Sequence, residues 1–275
     1  MKTKAKILLI LPALLLLFAC TPEKKLARDF VNMPKKIRLQ VFPPELVFKY
    51  NHKGEKIEDF KKMNEQQQDS ALYFGSDFIQ YVSDSIYLER YINNFLDETR
   101  KLGFEVFLDN QTDTFLQDQQ QAYVLNMAQV QLDEYTYPHK DSETIYDTVY
   151  SKTFNLNGVD ASSWFELSKV NSSKKTVLYS TFTASDAFDG GFYIDPFTSA
   201  IHYKYNIDSL HVRDIYDLAT YAGRRQADYL FDYFMNNYVT LHMPPGTAPS
   251  GYLRYDRYDK SIYITDDERF EVLDK

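Results

Sequence analysis

From Ile37 to Phe42 apolar and polar positions alternate, with Ile37, Leu39 and Val41 set against Arg38 and Gln40. A period of two predicts a strand with one buried face, and Pro43-Pro44 stops it. Residues 51–70 carry Asn51-His52-Lys53-Gly54, Lys61-Lys62 and Gln66-Gln67-Gln68 with no period, which predicts a mobile polar insertion. The period then changes. Ile79, Val82, Ile86, Ile92, Phe95, Leu96 and Leu102 fall near helical spacing, with Ser83 to Ser85 as a cap and Gly103 as a stop. Phe104 to Leu108 reads as another strand, so the chain opens strand, helix, strand.

After a polar loop from Asp109 to Gln121, residues Ala122 to Tyr135 predict a long strand, with Val124, Ala128, Val130 and Leu132 inward and Gln129, Gln131 and Asp133 outward. Tyr137 to Asp141 reads as a turn. Thr148 to Leu156 reads as a strand ending at the turn pair Asn157-Gly158. Trp164 to Leu167 lies in a strand, Asn171 to Lys174 turns, and Thr176 to Phe182 returns. Asp189-Gly190-Gly191 and Asp195-Pro196 punctuate a further pair, in which Ile201, Tyr203 and Tyr205 alternate with His202 and Lys204. Strands joined by short turns predict an antiparallel meander.

A second long helix follows, capped by Asp208 or Ser209, with Ile215, Ala219, Ala222, Gln226, Leu230, Tyr233, Phe234 and Asn237 on its inner stripe. The expected fold is thus α+β: an antiparallel meander with two long helices packed on it, spanning residues 37–240. Met243-Pro244-Pro245-Gly246 closes that domain. Residues 241–275 form a Tyr-rich tail that either presents a sticky face or lies over the domain.

The N-terminus follows another pattern. Lys2, Lys4 and Lys6 precede an apolar run from Ile7 to Ala19, broken only by Pro12. A positive start and a short apolar core are the parts of a secretory signal, and a bilayer-spanning helix needs about 20 apolar residues. The run ends at Leu17-Phe18-Ala19-Cys20, which resembles the lipobox of bacterial lipoproteins. The resemblance implies cleavage of residues 1–19, a diacylglycerol thioether on the Cys20 sulfur, and anchorage to the lipid bilayer. Cys20 is the only cysteine, so the remainder has no disulfide. Residues 20–36, including Thr21-Pro22-Glu23-Lys24-Lys25, read as a lipidated tether.

The net charge of −8 and pI near 5.2 argue against nucleic acid as a partner, because phosphate contacts need a basic face. The signal's three lysines leave with it and no acid does, so the mature chain is more acidic still. Chemistry is sparse. None of His52, His139, His202, His211 and His242 stands at the i, i+4 spacing of helical zinc ligands, and no serine sits in a Gly-x-Ser-x-Gly elbow. Asp109 to Asp113 approaches a calcium loop but lacks its glycine and its closing glutamate. Pairs such as Asp186 and Asp189, or Asp266 and Asp267, are what an acid-rich chain produces by chance. No catalytic residue, metal site or cofactor is assigned. Aromatics are abundant, with 23 Tyr and 20 Phe against one Trp, and the candidate binding residues are Trp164, Tyr252, Tyr255 and Tyr258.

The element order over residues 37–240 is similar to that of the accessory lipoproteins of envelope assembly and transport. The Tyr- and Asn-rich texture resembles lipoproteins of Bacteroidota. No motif is shared, so no binding residue carries over. The resemblance implies a non-enzymatic component of the bacterial cell envelope that binds a protein partner. The chain lacks an acidic run after Cys20, which favours the periplasmic side of the outer membrane. A glycan- or peptidoglycan-binding lipoprotein is the second reading, and a hydrolase the third.

Overall fold

The computed structural model describes residues 22–33, 37–54, 57–266 and 269–273. It is a mixed α+β structure with more than one sheet. The first element lies where the sequence predicts only a tether. Pro22–Val31 is a helix, α1, with Ala27 fully buried and Leu26, Phe30 and Val31 packed on the core. These residues recur at three- and four-residue steps, a helical stripe hidden by the charges between them. Buried Glu23 accepts hydrogen bonds from the Ser250 N–H and hydroxyl, both at 2.7 Å. The stretch is therefore docked over these residues.

The remaining elements follow in order: β1 (Arg38–Phe42), β2 (Phe48–Asn51), α2 (Glu65–Phe74), α3 (Asp84–Lys101), β3 (Glu105–Phe107), α4 (Thr112–Phe115), β4 (Ala122–Ile145), β5 (Thr148–Lys169) and β6 (Lys175–Ser185). After these come β7 (Ala187–Ile194), β8 (Ile201–Asp208), α5 (Val212–His242), β9 (Tyr252–Asp256), β10 (Ser261–Thr265) and β11 (Glu271–Val272). The main sheet has the order β11-β6-β5-β4-β1-β3, with β2 also on β4. β4, β5 and β6 form the expected meander. The sheet is nonetheless mixed, because β1 runs parallel to both β3 and β4, and β2 runs parallel to β4. A strand returning through a helix such as α3 comes back parallel, which the purely antiparallel expectation missed.

The insertion expected at 51–70 is also corrected. Asn64 caps α2 reciprocally with Gln67, at 3.0 Å each way, and Asn51 donates to the Leu72 carbonyl. Three expected turns, at 137–141, 157–158 and 189–191, are strand. Their glycines answer to packing: a Cβ on Gly158 would strike the Tyr135 ring, and one on Gly190 the Phe188 ring. α5 begins later than expected, with His211 at its cap and its N–H donating to Asp214, because Asp208 is still paired with Ala187.

Helices α3 and α5 cover one sheet face. Phe95 packs edge-on against Phe165, Phe182 stacks near Tyr229, and Tyr123 meets Phe234 at 4.8 Å. The two helices touch at Gly223, where any Cβ would run into the Tyr91 carbonyl. Beside that contact the buried Tyr91 hydroxyl donates to Gln226, and Gln226 donates to Ser180 at 2.8 Å. α5 extends about 46 Å along the sheet. Its N-terminal end meets the far end of β6, where the Leu210 N–H donates to Asp186. Its C-terminal half carries α1, through Phe30 against Phe231 and Tyr238. The residues expected as a tail are integrated. Leu253 of β9 is fully buried and exchanges hydrogen bonds with Asn236, while β11 extends the main sheet on β6.

Candidate interaction surface

Two hairpins leave the body together. β6 last pairs with β5 at Gly158, and β2 last pairs with β4 at Glu134. From Thr136↔Asn157 to Ile145↔Thr148 the β4–β5 ladder continues without those neighbours, a projection of about 33 Å at strand rise. The β7–β8 hairpin lies against it. Phe154 meets Phe188 at 4.9 Å and Tyr205 at 4.7 Å, His139 meets Phe188 at 4.6 Å, and the Tyr203 hydroxyl donates to Asp141 at 2.7 Å. That carboxylate and desolvation push the Tyr203 phenol up to about 12, with desolvation the larger cause. Phe188 sits by Phe154 and Phe192 by Tyr150, so both hairpins advance in the same direction and their turns share one end.

The arm contributes little to the core. Of its paired residues only Leu156 is buried. Its tip is apolar instead. The β4–β5 turn places Tyr146 and Asp147 at φ 47° and 61°, the left-handed pair of a tight hairpin turn, which normally takes Asn-Gly. Tyr146 is 77% exposed there, and neighbouring Val149 is 69% exposed. At the other turn Asp195 accepts from the N–H groups of Phe197 and Thr198, both at 2.8 Å. These bonds hold its carboxyl below the usual range. They also fix a loop on which Phe197 is 94% exposed. Glu143, Asp147 and Asp195 lie in or beside the turns, so acids flank the apolar tip.

The sheet face opposite the helices is open and polar. Gln129 donates to Gln131, Gln131 to Asp133, and the His52 ring meets Asp133 at 2.8 Å. Tyr135 and Thr183 both donate to Asp160. Trp164 lies on this face, half-buried, with its ring 4.9 Å from Tyr179. Phe165, its neighbour, points the other way onto Phe95. The tail tyrosines stand on the helix side. Tyr255 packs on Phe231, Tyr252 lines a hollow with Tyr233 and Phe270, and Tyr258 is exposed in the β9–β10 turn beside Arg257. The four candidate aromatics therefore do not share one surface. Cys20 lies outside the described residues.

Asp232 is not among the candidate residues named from the sequence. It sits on α5, almost wholly buried, and accepts from the Tyr255 N–H at 2.9 Å. Burial pushes its carboxyl up to about 8, opposed by that hydrogen bond and by Arg254 and Arg225, and aided by Asp228. An Asp near the inner stripe of a long helix was the available signal. Among the described residues no group of three or more His, Cys, Asp or Glu is placed to hold a metal ion, and no helix is long and apolar enough to cross a membrane. No protein-family model matches the chain, and no curated protein sequence matches it.

Proposed function

We propose that this protein is a lipoprotein of the bacterial envelope, held to a bilayer through acylated Cys20, that acts without catalysis by docking a protein partner on its arm. The observation that carries this reading is the arm tip. Some forty residues build two stacked hairpins that bury almost nothing of the core and end in exposed Tyr146, Val149 and Phe197. Exposed aromatics rimmed by charge are what interfaces use as anchors. The flanking acids favour a partner whose apolar cleft is edged with Arg or Lys. The lipobox and signal pattern support the envelope placement, and the outer membrane facing the periplasm is the expected site.

A photocrosslinking residue at position 197 in living cells tests this. One discrete protein adduct, absent from the same probe at exposed Tyr258 and lost when Tyr146 becomes Ala, supports the reading. Adducts to lipid alone, or the same adduct from both positions, overturn it. A second reading, glycan binding, is favoured by Trp164 beside Tyr179 on the open polar face. It predicts sedimentation with purified murein that Trp164→Ala abolishes.

A further inference from the structure

We propose that the cavity between α1, the end of α5 and the near edge of the main sheet is a binding site for a single-chain amphiphile with an anionic head. The cavity measures about 630 Å³, within the range of small-molecule sites. It lies at the end of the molecule away from the arm.

Its floor is apolar and comes from elements distant in sequence. Phe30 follows from α1, Tyr123 from β4, Leu167 from β5, and Phe234 and Tyr238 from α5. These side chains are fixed by one another. Tyr123 meets Phe234 edge-on at 4.8 Å, and Phe30 meets Tyr238 at 5.6 Å. A floor held this way is formed before any ligand arrives, which spares the ordering cost of binding.

The rim has the opposite character. Lys169, Lys174 and His242 line it, and none of the lining residues is an acid, in a chain with 39 of them. No carboxylate among the described residues stands within ion-pair distance of Lys169 or Lys174. His242 is held by its ring, stacked 4.0 Å from Tyr238, while its Nδ1 donates to the Tyr238 carbonyl at 2.8 Å. Gln121 and Asn237 add neutral polar groups at the edge.

Charge complementarity therefore selects the occupant. A neutral apolar molecule would fill the floor but ignore the lysines. A free inorganic anion would meet the lysines but leave the aromatic floor wet. An acyl chain bearing one carboxylate or phosphate satisfies both, because its CH₂ groups leave water as they cover the floor. A fatty carboxylate and an anionic lysophospholipid share this chemistry.

The test uses the full chain reconstituted in zwitterionic nanodiscs, with empty nanodiscs as the blank. Diazirine-labelled dodecanoate is photolysed and its adducts are mapped by peptide mass spectrometry. The expected result is labelling of the peptides that carry Phe30, Tyr123 and Tyr238, with unlabelled dodecanoate or dodecyl phosphate competing. The stronger of those two competitors identifies the head group as carboxylate or phosphate. Lys169→Glu combined with Lys174→Glu, both on the surface, should weaken labelling at least tenfold while thermal unfolding stays unchanged. Equal competition by dodecanol, labelling that survives the double charge reversal, or adducts confined to other peptides would overturn the proposal.

Discussion

Asp232 carries a proton that an aspartate in an unfolded chain would release. Its carboxyl titrates near 8 when folded against an ordinary 3.8. Between those values the folded state binds the extra proton, so stability falls as pH rises through the window and is fully present only below it. Asp232→Asn keeps an acceptor for the Tyr255 N–H and removes the titration. We expect the variant to unfold at a higher temperature than the parent at about pH 9 and to converge with it only as the pH falls below the ordinary value of 3.8, read by thermal melts across pH. Glu134 is a second buried carboxylate, held by a different set of partners. It is fully buried and accepts from the N–H groups of Asp77, Phe78 and Ile79, with Lys53 Nζ at 2.8 Å. Lys53→Met strands that carboxylate, and urea unfolding should show a loss of about 3–5 kcal/mol. The pairing of Lys53 with Glu134 was not legible in the sequence. Lys53 reads as one of several surface lysines in a polar run, and its partner lies 81 positions away, where no local pattern reaches.

Elements were legible where the period was clean and unread where turn residues did other work. The alternation of Ile37 to Val41 and the helical stripe before Leu102 gave β1 and α3 directly. Gly158 and Gly190 read as turns because glycine usually marks one, yet here each makes room for a cross-strand ring. The two hairpins were consequently cut short, and the arm, the feature that carries the proposed function, went unseen. Because the arm buries so little, shortening it should spare the fold. Replacing residues 138–155 and 189–206 each by Asn-Gly should leave the circular dichroism of the helices unchanged and move the melting temperature by only a few degrees. Gly223→Ala should do the reverse. Its methyl group would press on the Tyr91 carbonyl and part α3 from α5, at a cost of about 1–3 kcal/mol in denaturant unfolding.

For the whole molecule, the class was legible and the assembly was not. Hydrophobic periods gave an α+β domain, but the parallel strands, the docking of α1 and the return of β11 to the main sheet depend on long-range packing that spacing does not encode. Trp164 was found as a candidate and correctly placed in a strand, while its separation from Tyr252, Tyr255 and Tyr258 follows from which sheet face each meets. A chain of net negative charge is not drawn to the surface of an anionic bilayer as a whole. Cys20→Ser should therefore release the protein from membranes into the soluble fraction, and labelled palmitate should mark the parent alone.

The seating of α1 also sets how freely such a body could roam. Two peptide steps separate Cys20 from Pro22, the first helical residue, and at full stretch they span roughly 7 Å. With no leash beyond that, a body acylated at Cys20, as proposed, would stand planted at the bilayer surface. The arm, leaving from the opposite end of α5, then moves only as the whole body leans. A flexible spacer inserted after Thr21 would loosen that post, and contacts made by Phe197 would spread over a wider range of heights.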